Sequence, residues 1–272
     1  MQHQEFEPPE ELRDAVRCFW YSRRDSDGSE STFEVLPDGY AEVIFYFGNG
    51  LNISKDESWQ SLPSPFLVGL LNRPVVFRSK GCLEIIGVRC FPWTVFDLLG
   101  LPSGNDGVRI FDHPVVLLQP VLSQWMQSGR IEEAIAEVKE YFQRARLRIE
   151  TSSMLFKAGV AMRKANGAIP VSQVAAAAHA TARTLERRFK QSSGFTVKDV
   201  SSVMRFEQAR NQLWLDPCRN LADLAQELGY ADQSHLSREF KRYGGITPGA
   251  FSRKAKERQQ IAGDDFVAFI QS

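Results

Sequence analysis

The sequence lacks the features that announce a membrane protein, a secreted protein or an enzyme. No apolar run in its 272 residues approaches the ~20 needed to cross a bilayer. Its first ten residues, MQHQEFEPPE, are polar and acidic and make no signal peptide. The expectation is a cytoplasmic chain. Cysteine is scarce: four, at positions 18, 82, 90 and 218, without CxxC or other metal-type spacing. This predicts reduced thiols, with Cys82 and Cys90 as a redox-sensing pair being the alternative. The four histidines, His3, His113, His179 and His235, stand far apart. An iron or zinc site needs clustered His and carboxylate ligands, so no metal is expected. GxSxG, a phosphate-binding loop and GxGxxG in a strand–helix setting are all missing. No catalytic residue and no cofactor is named, and the chain is read as a non-enzyme.

Net charge is missing too, since 33 Lys+Arg balance 33 Asp+Glu. The balance conceals a split. Residues 1–150 carry 15 Lys+Arg against 22 Asp+Glu, and residues 151–272 carry 18 against 11. Such asymmetry points to one half that meets a polyanion and one that does not. A single core stops growing near ~250–300 residues, so two domains are expected, with the boundary at ETSSM, residues 150–154.

The N-terminal half reads as mostly strands over residues 33–90. AEVIFYFGNG is an apolar run closed by the turn Gly48-Asn49-Gly50. PFLVGLL, PVVFRS and CLEIIGVRC follow, with Lys80-Gly81 as a hairpin turn. PWTVFDLLG reads as a short helix, with Pro92 in its first turn and Gly100 at its end. A Gly/Asn/Asp loop over 102–107 precedes a helical region. There Ile131, Ile135, Val138 and Phe142 recur at helical spacing. Glu132 and Glu133 begin that helix, and Arg144, Arg146 and Arg148 close it, which suits the helix dipole. The aromatics Trp20, Phe45, Tyr46, Phe47 and Trp93 are expected in a sheet core, the alternative being a ligand pocket lined by some of them. Asp38 and Glu42 are expected as turn and surface residues rather than catalytic carboxylates.

From Met154 to about Arg253 the pattern is helical, and it repeats. VSQVAAAAHATARTLERRFKQSSGFT lies over LADLAQELGYADQSHLSREFKRYGGIT, so that Leu185 falls on Leu236, Arg187 on Arg238 and Phe189 on Phe240. Each copy reads as helix, tight turn, helix. In the second copy Asn220 caps the first helix, Gly229 makes the turn and Asp232 caps the second helix. In the first copy Thr181 is the matching cap, and His179 stands where glycine is expected. Histidine tolerates positive φ better than most residues, so this turn is strained rather than forbidden.

The second helix of each copy has two faces. Leu185 and Phe189, like Leu236 and Phe240, share the inner one. Arg183, Arg187 and Lys190 stand at i, i+4 and i+7 on another; Ser234, Arg238 and Lys241 do the same in the second copy. Outward Arg, Gln, Ser and His are donors to phosphates and base edges, which points to double-stranded DNA. Between the copies, Val200, Val203, Phe206, Ala209 and Leu213 mark a connecting helix that ends at Asp216-Pro217. Over residues 198–215 it would be about 27 Å long at ~1.5 Å per residue. That suits two readers in successive major-groove segments, about one turn or ~34 Å apart.

LADLAQELGYADQSHLSREFKRYGGITPGAFSR, RTLERRFKQSSGFT and RFEQARNQL resemble the AraC/XylS family of bacterial transcription regulators. His179 and Val197 depart from that family's turn glycine and proline. VLPDGYAEVIFYFGNG and IIGVRCFPWTVFDLLGLP look like the N-terminal segment of one subgroup. The resemblance implies an α+β protein in three parts. Residues 1–150 would be a β-rich, cupin-like or related, regulatory domain with flanking helices, for effector sensing, dimerisation or both. Residues 154–253 would be an all-α DNA-binding domain of two helix-turn-helix units joined by a long helix, and 254–272 a tail. The implied base-facing residues are Arg183, Glu186 and Arg187 in the first unit and Gln233, Ser234, Ser237 and Arg238 in the second. Glu186 is read either as an acceptor from a cytosine or as a partner of Arg183 or Lys190. The wider DNA-binding set adds Thr181, Thr184, Lys190, His235, Lys241 and Arg242. Promoter DNA, a small-molecule effector, a second copy of the chain and RNA polymerase are the implied partners, with activation as the implied output. Two alternatives stand beside this: a DNA-repair methyl-acceptor enzyme on the same module, and a regulator whose N-terminal domain only dimerises. The opposite charges of the halves invite auto-inhibitory docking of the acidic domain over the basic readers.

Overall fold

Burial on both faces of one sheet explains the unbroken apolar runs of the N-terminal half. The structure, a computed structural model, describes residues 2–101, 107–147 and 154–261. Ten strands are described: β1 (Gln2–Phe6), β2 (Val16–Arg24), β3 (Glu30–Val35), β4 (Ala41–Gly48), β5 (Leu51–Lys55), β6 (Ser58–Leu62), β7 (Phe66–Val68), β8 (Val75–Lys80), β9 (Leu83–Cys90) and β10 (Val108–Arg109). They form a six-stranded sheet, ordered β1-β2-β9-β4-β7-β10, and a four-stranded sheet, ordered β3-β8-β5-β6. Successive side chains of a strand point to opposite faces. Trp20, Ile44 and Ile85 of the larger sheet therefore join a core with Leu51 and Phe77 of the smaller one. Phe19, Phe45, Ile86 and Val88 point the other way. They pack on α1 (Thr94–Leu99), α2 (Leu118–Gln127) and α3 (Ile131–Arg146). A sheet covered on both sides has no polar face, so AEVIFYF does not alternate.

Three expectations for this half are corrected. Lys80-Gly81 is no hairpin turn, because β8 and β9 lie in different sheets. The Gly48–Gly50 turn makes the same crossing between β4 and β5. The two corners touch: a Cβ on Gly48, at φ 135°, would stand 2.4 Å from the Cys82 carbonyl oxygen. Pro92 lies just ahead of α1, whose N-cap is Trp93, while Gly100 closes it at φ 66° as expected. Cys82 and Cys90 cannot pair: they flank β9, roughly 26 Å apart at ~3.3 Å per residue, where a disulfide needs Cα atoms within about 7 Å. All four cysteines are free, and burial pushes the Cys18 thiol up to about 12.

In α3, Ile135, Val138 and Phe142 are buried as the spacing predicts, and Ile131 packs against the same core. Arg148, most of the loop 102–107, the boundary segment up to Ser153 and the tail beyond 261 lie outside the described residues.

The C-terminal half consists of α4 (Met154–Lys164), α5 (Val171–Ala177), α6 (Ala182–Ser193), α7 (Val197–Leu215), α8 (Leu221–Glu227), α9 (Gln233–Gly244) and α10 (Pro248–Ile261). Val200, Val203, Phe206, Ala209 and Leu213 of α7 are buried between the two units, as their spacing requires. Thr196 starts α7 with a reciprocal cap: its hydroxyl accepts from the Asp199 N–H at 3.1 Å, and the Asp199 carboxylate accepts from the Thr196 N–H at 3.2 Å. No helix of the described residues is long and apolar enough to cross a membrane.

Candidate nucleic-acid interface

Local chemistry builds each helix-turn-helix unit. Asn220 accepts from the Ala222 and Asp223 N–H groups at the start of α8. Gly229, at φ 72°, turns the chain, and Asp232 accepts from the His235 N–H at 2.7 Å to start α9. In the first unit Thr181 accepts from the Thr184 N–H at 3.2 Å. His179 makes the turn at φ 51°, the left-handed geometry that a side chain resists. The His179 side chain is exposed and nothing in its packing requires it. His179→Gly is therefore expected to stabilise the chain by about 1 kcal/mol. Urea unfolding of both proteins checks this.

The faces of α6 and α9 separate as the spacing predicts. Leu185, Phe189, Leu236 and Phe240 are buried. Arg183, Arg187 and Lys190 are exposed on α6, as are Gln233, Ser234, Arg238, Lys241 and Arg242 on α9. Thr181 is exposed; Thr184, Ser237, Glu186 and His235 are half-buried. The last two have structural partners. Oε2 of Glu186 accepts from the Val197 N–H at 3.1 Å, tying α6 to the start of α7. Neither role read from the sequence included that bond. His235 sets its ring edge-on to Tyr230, and its Nδ1 accepts from the Ala231 N–H at 3.4 Å, which braces the turn. Arg242 lies 3.8 Å from Asp199.

Sequence reasoning missed a polar tie between the connector and the second reader. Arg205 of α7 donates to the Gly167 carbonyl at 2.9 Å and to Glu239 of α9 at 3.2 Å, and Glu239 accepts from Ser202 at 2.9 Å. The signal was an Arg three residues after Ser202, and spacing alone does not tell such a polar strip from a solvated face.

The junction of the two halves was not foreseen either. Trp93 leaves the sheet core expected for it and enters the helical half. It stacks on Phe91 with ring centres 5.7 Å apart and meets Phe189 of α6 at 5.8 Å. Arg163 of α4 covers Phe91 at 3.7 Å. Asp38 and Glu42 are corrected from surface residues to partners of the buried Arg89, whose Nε donates to Glu42 at 2.6 Å and whose Nη2 donates to Asp38. Beside them Arg210 of α7, buried, donates to the Pro37 carbonyl at 3.1 Å. The acidic half thus docks by aromatic and buried polar contacts. It leaves Arg183, Arg187, Lys190, Arg238 and Lys241 exposed, which removes the expected auto-inhibitory cover. A cavity of about 410 Å³ lies between the sheets and is closed on one side by Trp214, Ile246 and Phe251 of the helical half.

Residues 174–254 match the family model described as a helix-turn-helix domain, and residues 4–105 match one described as a domain of unknown function, DUF6597. Over 83 residues the chain is 32% identical to the HTH-type transcriptional regulator RipA of Corynebacterium diphtheriae, covering 30% of this chain and 24% of RipA. Over 71 residues it is 32% identical to YesN of Bacillus subtilis, an uncharacterized transcriptional regulatory protein, covering 26% of this chain and 19% of YesN. The chain thus spans about a quarter or less of the length of these curated relatives. A solved structure of ToxT from Vibrio cholerae is similar at 9% identity and TM-score 0.44, covering 93% of this chain and 98% of that one. The repeat in the sequence, the two capped units it folds into and the match over 174–254 agree: residues 174–254 form a helix-turn-helix domain of the AraC type, similar to those of transcriptional regulators.

Proposed function

We propose that this chain binds promoter DNA by placing α6 and α9 in successive major-groove segments, and that a small molecule held by the N-terminal domain controls how it does so. The observation that carries the proposal is the pair of exposed basic faces on helices whose opposite faces share one core. Arg183 and Arg187 on α6, and Gln233, Ser234, Ser237 and Arg238 on α9, are the base-reading set. Lys190, Lys241, Arg242, Thr181 and Thr184 serve the phosphates. Glu186 and His235 hold the readers in place rather than touch bases. The 19 residues of α7 give a rod about 28 Å long at ~1.5 Å per residue, against ~34 Å for one turn of DNA. The effector role rests on the cavity, because its wall belongs partly to the sheets and partly to α7, α10 and the segment before α10. A second copy of the chain, and RNA polymerase, are further partners on this reading, and the cytoplasm is its compartment.

Two measurements test it. Affinity for a mapped promoter site should fall steeply with salt, log K against log salt sloping by about −0.9 for each phosphate neutralised. Arg238→Ala should cost about 1–3 kcal/mol on that site and relax preference at one base position. Equal loss on every sequence would remove Arg238 from the base-reading set, and a flat salt profile would remove the polyanion interface.

A further inference from the structure

The cavity between the sheets has a specific chemistry. Trp20, Phe66, Phe77, Trp214 and Phe251 make its walls mainly apolar and aromatic. Three polar atoms of its wall are buried without a hydrogen-bond partner, Nε2 of His3, Nη1 of Arg89 and Nε1 of Trp20, and the two that can only donate are those of Arg89 and Trp20. Both residues are more than nine-tenths buried, with relative exposures of 6% and 8%. A buried donor left unpaired is costly, so each marks a place where an acceptor belongs.

Neither donor is loosely placed. Two of the three nitrogens of Arg89 are held by Glu42 and Asp38. Trp20 lies across Gly87 of the neighbouring strand, where a Cβ would stand only 2.1 Å from the indole. The glycine leaves room for the ring to lie against the sheet, which fixes the direction of its N–H.

The charges decide the class of ligand. Two arginines line the cavity: Arg89 is already shared by two carboxylates, so an anion there would meet Asp38 and Glu42 along with it, and Arg24 holds its guanidinium 4.4 Å over the Phe33 ring. A cation would leave both orphaned donors unsatisfied. Glu34 and Lys254, also at the cavity, are exposed and balance each other at the rim. We infer that the cavity takes an uncharged, mainly apolar ring compound bearing a carbonyl-type acceptor. Its volume of about 410 Å³ is within the range of ~300–1,000 Å³ usual for such sites. The inference rests on the reading of the N-terminal domain as the effector-sensing part, and it names the effector's class.

The test uses the full chain and three probes on one ring system: 2-acetylnaphthalene, 2-naphthoate and 2-naphthylmethylammonium, titrated by calorimetry without DNA. The ketone is expected to bind at least tenfold more tightly than either ion. Trp20→Phe, which keeps an aromatic body and removes the N–H, is expected to weaken the ketone about tenfold, near the upper worth of one buried hydrogen bond. An unchanged thermal melt of Trp20→Phe shows that the variant folds. If it does not fold, the ranking of the three probes on the unmodified chain still decides. Equal or tighter binding of either ion overturns the inference, and so does binding of none of the three, which would leave water as the partner of both donors. Ketone binding that leaves promoter affinity unchanged would sink the effector reading and spare the ligand class.

Discussion

Glu207→Gln will make the protein more stable at pH 9 and leave it nearly unchanged at pH 5. Glu207 sits on α7 at the domain junction. Its Oε2 lies so close to the 37–40 turn that a Cβ on Gly39 would stand 3.4 Å from it. Part of the residue still meets solvent, but the carboxylate is closely surrounded by protein. Burial, with Asp38 adding to it, raises its pKa from 4.5 to about 8, against the pull of Arg210, Arg89 and Arg17. The folded state therefore holds a proton that the unfolded chain releases above about 4.5. Where the native state binds more protons, stability falls as pH rises. The loss begins near pH 4.5, grows through neutrality and is complete above about pH 8. Glutamine stays neutral throughout and escapes it. A shift from 4.5 to about 8 is worth at most ~5 kcal/mol at 1.36 kcal/mol per unit, and the solvent that reaches Glu207 lowers this to an expected gain of about 2–4 kcal/mol at pH 9. Urea unfolding of both proteins at pH 5, 7 and 9 measures it. Parallel curves at all three pH values would mean that Glu207 titrates as an ordinary exposed carboxylate.

The contrast between the two halves shows what a sequence displays. The caps Thr181, Asn220 and Asp232, the turns at His179 and Gly229, and the inner pairs Leu185/Phe189 and Leu236/Phe240 were all legible. Each is a decision made within about one helical turn, and the repeat stated most of them twice. The readers' exposure followed from the same periodicity. The sheets were less legible, because strand pairing is a long-range decision. Lys80-Gly81 has the chemistry of a hairpin turn whether the next strand returns to its neighbour or crosses to another sheet. The strands β1 and β2 escaped notice because β1 pairs only with β2, and the β9 partners of β2, and so the burial that explains Trp20 and Tyr21, lie up to 74 residues away. Arg89 was not singled out at all, although it organises Asp38 and Glu42. Its burial depends on three segments meeting, and no local pattern announces a buried ion cluster. The four free cysteines were legible as a scattered set, and the geometry of β9 then excludes the one pair that spacing had left open.

Gly159→Leu should disrupt the junction more than any change at the readers. Gly159 lies in the middle of α4, where glycine is a poor helix former, so its presence needs a reason. The reason is Trp93: a Cβ on Gly159 would stand 2.0 Å from the indole ring, a separation no real pair of atoms tolerates. The ring fills the notch that the missing side chain leaves, and through it Phe91 and Phe189 become one aromatic stack spanning the two halves. A leucine must expel the ring, because α4 packs this same face, with Leu155, Ala158 and Met162, into the core that holds Trp93 and cannot back away without unpacking it. The cost should approach the ~3–5 kcal/mol of losing a buried tryptophan from a core. Because Phe189 is the inner anchor of α6, the loss also removes an aromatic contact that ties the first reader to the N-terminal domain. Two consequences follow in calorimetry and binding. Thermal unfolding should change from a single transition to two, as the halves lose their shared core. DNA affinity should no longer respond to any ligand that the cavity binds. Gly159→Ala, which adds only the clashing Cβ, should shift both readouts in the same direction by less. A single, undisplaced transition in the leucine variant would show that Trp93 does not join the halves.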